Sequence, residues 1–170
     1  MSGNPRRALP SDSWPLGWLP MVDIHHEGGC AAPLDVAFAY VDDYRNATQW
    51  MFGLAAFDPV GEKDQGLGAV FDGTFHVPPV KLHSTIEVTE WEQNRIIAFE
   101  SVKGFRNWST WEFVEAGPES TKVLVKFSYE LPGGLAGRAL GRVLEPIVAM
   151  SLRHSDHALR THIEERYNNS

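Results

Sequence analysis

Seven histidines are the first place to look for metal or acid–base chemistry in this chain of 170 residues. No HExxH run occurs, and His154 and His157 are the two whose helical spacing would let them share a metal ion. That turn carries no second pair of carboxylates or thiols, so both read as surface residues near a helix end, and no metal is expected. His25 and His26 are adjacent in an apparent strand, which sends them to opposite faces and at most one of them inward. Cys30 is the sole cysteine. It can form neither an intramolecular disulfide nor a thiolate-rich zinc site, and it reads as a small buried apolar residue in a reducing, cytoplasmic setting. No GxSxG elbow is present, and the run GLGAVFDG lacks phosphate-loop spacing and leads into a strand. No catalytic residue is assigned, and no cofactor is expected.

The polar residues that interrupt apolar strand faces matter more, because a buried polar group needs a partner or a role. Ser84 and Tyr129 have inward parity, Ser109 shares parity with Trp111, and either Glu100 or Ser101 faces inward depending on register. Each is either a satisfied core hydrogen bond or a group able to meet a ligand oxygen, and desolvation would shift the pKa of an acid among them. Arg106, beside the Lys103-Gly104 turn, is either an ordinary solvated arginine or a cation at a cavity mouth.

The elements that must position these residues follow from hydrophobic period. Residues 1–20 carry Pro10, Pro15 and Pro20 among apolar Trp14, Leu16, Trp18 and Leu19, which predicts an irregular arm packed on a domain spanning 21–170. Met21 to Glu27 alternates as a strand; Pro33 can open a short helix, and Asp42 can cap a second one running to Trp50. From Leu54 to Leu131 the period is two, broken by turn chemistry at 61–68, Pro78-Pro79, Gln93-Asn94, Lys103-Gly104 and 116–120, giving six more strands. Successive strands keep one apolar face: Phe71 and Phe75, Val80 and Leu82, Phe99, Trp111 and Phe113, Phe127 and Tyr129. After Gly133-Gly134 a helical period runs to Tyr167, with Leu140, Leu144, Ile147, Ser151, Ala158 and Ile163 along one stripe. Pro146 lies inside it, so the helix either kinks or restarts there.

The fold class is therefore α+β: a strongly curved, seven-stranded antiparallel sheet around a long C-terminal helix, with two short helices after strand 1. Hydrophobic residues at 43% and charged residues at 22% fit a globular domain. The net charge of −7, with no basic cluster, argues against nucleic acid as a partner. No apolar stretch reaches the ~20 residues of a membrane span, so no integral membrane segment is expected. Oligomeric state stays open, a homodimer included.

The order β-α-α-β-β-β-β-β-β-α, with APLDVAFAYVDDYRNATQW after the first strand and the glycine-led LPGGLAGRALGRVLEPIVAM opening the last helix, resembles the START-like superfamily of polyketide cyclase/dehydrase and lipid-transport domains. The resemblance spans about Met21 to Tyr167 and implies a helix-grip fold enclosing a cavity for an apolar ligand. Independently of it, a bent sheet facing one helix leaves a volume that aromatic side chains either fill or line. The expected lining is Trp50, Phe71, Phe75, Leu82, Ser84, Phe99, Trp111, Phe113, Phe127, Tyr129, Leu144, Ile147 and Ser151. The expected function is binding or carrying a small hydrophobic molecule of lipid, acyl or polyketide-like type. A polyketide cyclase or dehydratase is the second reading and a partner-binding activator domain the third. Gly133, Gly134, Gly137 and Gly141 mark the helix start as the expected gate, ahead of the 62–68 loop and the 77–80 turn, with Trp18 as a plug.

Overall fold

The computed structural model describes residues 21–131 and 133–170; the expected arm and Trp18 plug lie outside the described residues. Strand β1 (Met21–Cys30) leads into helix α1 (Leu34–Asp42), one 3₁₀ turn (Tyr44–Asn46) and the short α2 (Ala47–Trp50). Six strands follow: β2 (Leu54–Pro59), β3 (Val70–Val77), β4 (Val80–Glu92), β5 (Ile96–Gly104), β6 (Asn107–Gly117) and β7 (Ser120–Glu130). Helix α3 (Gly134–Asn168) closes the chain.

The strands form one antiparallel sheet in the order β1-β7-β6-β5-β4-β3-β2, so each strand from β2 to β7 pairs with its sequence neighbour and only β1 crosses to join β7. Register shifts on β2, on β4, on β5 and near the end of β6 put extra residues into single strands. Such bulges bend a strand and raise its twist, which is how the sheet wraps α3. The hairpin turns use the expected chemistry: Pro78-Pro79 joins β3 to β4, and Asn94 takes a left-handed φ of 60° between β4 and β5.

Three local expectations need correction. Pro33 precedes α1 rather than occupying its first turn, with its carbonyl accepting from Ala37 N at 3.0 Å. Asp43, not Asp42, caps the segment after α1, accepting from Arg45 N at 3.1 Å. Asp42 instead accepts from Trp91 Nε1 at 2.8 Å, a long-range bond that no local spacing rule reveals. On α3, one helix runs through Pro146 without restarting, the proline being exposed. Its fully buried positions are Gly137, Leu144, Ser155, Leu159 and Ile163, so Leu140 and Ala158 are only half-buried.

The core has two parts. One joins α1, α2 and the C-terminal half of α3 to the sheet through Phe38, Trp50, Trp111, Phe113, Leu159 and Ile163. The other gathers Tyr129, Leu131 and Leu144 with Phe105, Leu140 and Val148 near the start of α3.

Candidate ligand-binding cavity

Between these two clusters lies a cavity of about 200 Å³. Its walls follow from period two: β3 contributes Phe71, Phe75 and Val77, β4 contributes Val80, Leu82, Ser84, Ile86 and Val88, and β5 contributes Phe99. Asn107, Ser109 and Trp111 come from β6, and Val125, Phe127 and Tyr129 from β7. Helix α3 closes the concave side with Leu144, Ile147, Val148, Ser151, Leu152 and Ser155, while Tyr44, Trp50, Met51 and Phe52 cover the short-helix end.

Aromatic contacts fix this wall. Trp50 meets Trp111 edge-on with centroids 5.2 Å apart, and Phe57 stacks on Phe71 at 4.7 Å. Ser155 Oγ accepts from Phe52 N at 3.0 Å, tying α3 to the chain that leaves α2.

Twelve of the thirteen side chains expected to line a cavity stand around this one: Trp50, Phe71, Phe75, Leu82, Ser84, Phe99, Trp111, Phe127, Tyr129, Leu144, Ile147 and Ser151. Phe113 does not. It has the parity of Trp111, but α1 covers that end of β6, and Phe38 plugs the position edge-on with centroids 5.2 Å apart. Sequence reasoning also passed over Asn107 and Phe105. Asn107 has the parity of Ser109 and Trp111, so alternation carried the signal once the start of β6 was fixed. Phe105 belongs to a turn, where no period applies. The choice between Glu100 and Ser101 resolves to Ser101, which is buried and accepts from Asn107 N at 3.0 Å.

The polar groups in the wall cluster where β4, β5 and β6 meet. Ser84 Oγ donates to Phe105 O at 2.6 Å, while Asn107 Nδ2 donates to Ser84 Oγ at 2.9 Å and to Phe105 O at 2.8 Å. Gly104 makes this possible: it has φ 84°, and a Cβ there would sit 2.4 Å from His83 O. The β5–β6 turn therefore lies flat against β4. Tyr129 stands opposite Asn107 in the β6–β7 register, and burial, then the charge of Glu145, raises its pKa, so the phenol is protonated at neutral pH.

At the other end Asp42 is the one carboxylate in the lining, held by Trp91 Nε1 and by Gln65 Nε2. No Lys, Arg or His lines the cavity among the described residues. Of the two histidines on β1, His25 is exposed and His26 turns toward α3, outside the cavity. His154 stacks on Phe52 with centroids 5.1 Å apart. Arg106 pairs with Glu130 at 3.1 Å and lies over Trp108.

The three segments expected to gate access differ in their contact with the cavity. The 62–68 loop supplies Gln65 and Gly66 to the wall and the 77–80 turn supplies Val77 and Val80, but α3 supplies nothing before Leu144. The helix-start glycines differ in role: Gly134 takes a φ of 74° in open space, Gly137 is buried, and a Cβ on Gly141 would lie 2.9 Å from Leu131 Cδ1.

Residues 21–164 match the family model described as polyketide cyclase / dehydrase and lipid transport. The chain belongs to this family. Among solved structures it resembles the Zhui aromatase/cyclase from Streptomyces sp. R1128, with TM-score 0.71 and 16% identity over 86% of this chain and 96% of that one. A START superfamily protein from Mycobacterium smegmatis gives TM-score 0.67 and 18% identity, covering 85% and 97%. Norcoclaurine synthase from Thalictrum flavum, in complex with dopamine and hydroxybenzaldehyde, gives 0.63 and 16%, covering 94% and 97%. At such identities the likeness is one of fold, the curved sheet gripping a long helix. A comparison with curated protein sequences returns no match. No described helix is long and apolar enough to cross a membrane.

Proposed function

We propose that this member of the polyketide cyclase/dehydrase and lipid-transport family binds and carries a small hydrophobic molecule between sheet and α3. The observation that carries the reading is a cavity of about 200 Å³ whose wall is apolar apart from a few hydroxyls, two amides and a tethered carboxylate. A dry cavity of about 150 Å³ takes up one benzene ring, so this one suits a molecule of one or two rings or a short acyl chain. General acid–base chemistry needs a proton donor and acceptor convergent on one point. Among the described residues the lining holds no His, Lys or Glu, and Asp42 is engaged by Trp91 and Gln65 at the end remote from Tyr129, which favours a carrier over a cyclase or dehydratase.

The proposal places the carrier in a reducing aqueous compartment, the cytoplasm, which the lone buried Cys30 suits. Native mass spectrometry of purified protein, before and after solvent extraction, together with fluorescence titration of naphthalene, tests it. Bound apolar material or saturable one-to-one uptake is expected. An empty protein that takes up no probe overturns it.

A further inference from the structure

We propose that the cavity selects a neutral ligand bearing a hydroxyl group, a phenol of one or two rings, with its oxygen seated between Asn107 and Tyr129. The inference rests on the carrier reading and adds the chemistry of the recognised group.

Accounting for the amide of Asn107 comes first. Its orientation is fixed because Phe105 O is only an acceptor, so the atom 2.8 Å from it is the Nδ2 donor. Phe105 O and Ser84 Oγ lie only 2.6 Å apart, so they share one N–H of Nδ2 as a three-centre bond. Ser84 spends its own proton on Phe105 O. Asn107 Oδ1 accepts no hydrogen bond among the described residues, and it belongs to a side chain in the cavity wall. The Ser84–Phe105–Asn107 cluster holds that acceptor rigidly, since turning the amide over would set Oδ1 against the Phe105 carbonyl.

Tyr129 supplies the complement. It faces Asn107 directly across the β6–β7 ladder, where opposed side chains start about 5 Å apart, and it lines the same cavity. Its hydroxyl donates to no acceptor among the described residues. One fixed acceptor and one protonated donor in the same cavity wall match a group that both donates and accepts, and a hydroxyl does both through a single oxygen. A carbonyl would meet Tyr129 and leave Asn107 Oδ1 without a donor. A carboxylate fits worse: with no Lys, Arg or His in the lining among the described residues, its charge would be buried without a counterion and would face Asn107 Oδ1. The surrounding wall, Phe105, Phe127 and Leu144 among its members, suits the ring that bears the hydroxyl.

Fluorescence titration at neutral pH with naphthalene, 2-naphthol and 2-naphthoate separates the levels of this argument. The unaltered protein is expected to bind 2-naphthol about tenfold more tightly than naphthalene, the gain of one or two net hydrogen bonds. It should bind 2-naphthoate more weakly than naphthalene. Tyr129→Phe should bring the affinities for 2-naphthol and naphthalene close to each other, and retained naphthalene binding reports that the variant folds. Equal affinity for naphthalene and 2-naphthol, a preference that survives Tyr129→Phe, or tight binding of 2-naphthoate overturns the proposal and leaves the carrier reading standing. Failure of naphthalene itself to bind overturns the carrier reading and this inference with it. Should Tyr129→Phe not fold, the ranking of the three ligands by the unaltered protein decides alone.

Discussion

Asp156 of α3 occupies the space that Gly28 leaves open on β1: a Cβ on Gly28 would lie 1.9 Å from Asp156 Oδ1. In that notch Oδ1 comes within 3.3 Å of His26 Nε2, a close contact that is not aligned as a hydrogen bond. The edge strand and the gripping helix are thus keyed to each other by a missing side chain. Gly28→Ala and Asp156→Ala should therefore be strongly non-additive. With Asp156 present, the new methyl must displace the carboxylate. With Asp156→Ala it has room, and the general gain of Ala over Gly in a strand, about 0.5–1 kcal/mol, emerges. Urea unfolding of the four proteins of the cycle should give a coupling of about 1 kcal/mol or more. Additive effects would mean that Asp156 swings away freely and does not register the helix.

Ser155, the neighbour of Asp156, makes the second attachment of α3. Its hydroxyl is the acceptor for Phe52 N and is almost fully buried. Ser155→Ala should cost about 1–3 kcal/mol, because the part-buried amide loses its partner. The loss should show in urea midpoint with an unchanged slope. A change within a few tenths of a kcal/mol would show that the amide finds another partner.

How much of this was legible in the sequence depended on the range of the interaction. Alternation in β3, β4 and β7 assigned the inward faces because one side of a curved sheet packs and the other meets water, so Phe71, Leu82 and Phe127 followed from parity. Phe113 obeyed the same parity and still left the cavity, since only the tertiary position of Phe38 decides which inward residues are plugged. The helix-start glycines were misread for a related reason. Glycine lowers helix propensity, but Gly141 is there because Leu131 comes close, a long-range fact with no local signature. Asp42 looked like a cap and serves Trp91, 49 residues away.

Alkaline pH should weaken the fold. Burial first, then the charge of Glu164, pushes the Cys30 thiol from 9.0 to about 11. The unfolded chain therefore releases this proton first, the native state holds more protons, and stability falls as pH rises from about 9 to about 11. Tyr40 and Tyr129, also raised chiefly by burial, act in the same direction. Urea midpoints should decline across that window, less steeply in Cys30→Ala, and Cys30 should resist Ellman's reagent at neutral pH until the chain unfolds. Rapid native labelling would contradict the buried placement.

Access should depend on Gln65. Its amide links the 62–68 loop to Asp42, and with Gly66 it brings that loop into the cavity wall. Gln65→Ala should speed both uptake and release of naphthalene by a few-fold in stopped-flow fluorescence. The dissociation constant should move little, because freeing a gate that touches the ligand weakly lowers mainly the barrier. Gly137→Ala should leave both rates alone, since the start of α3 takes no part in the wall. Unchanged rates in Gln65→Ala would transfer the gate to Val77–Val80.

Filling the cavity should separate stability from binding. Ser109 projects from β6 into the cavity, paired across the sheet with Phe99 on one side and Phe127 on the other. Ser109→Leu puts apolar atoms among these rings, where they gain contacts and displace no charged partner, at about 0.8 kcal/mol per buried CH₂. The empty variant should melt higher than the unaltered protein. It should also lose the ligand-linked gain, which for the unaltered protein is about 2.7 kcal/mol at a probe concentration of 100 times the dissociation constant. The two shifts have opposite signs, so calorimetry with and without naphthalene distinguishes them. A variant that is destabilised and still binds would mean that the rings around Ser109 close on each other rather than on a ligand, and that the usable volume lies nearer α3.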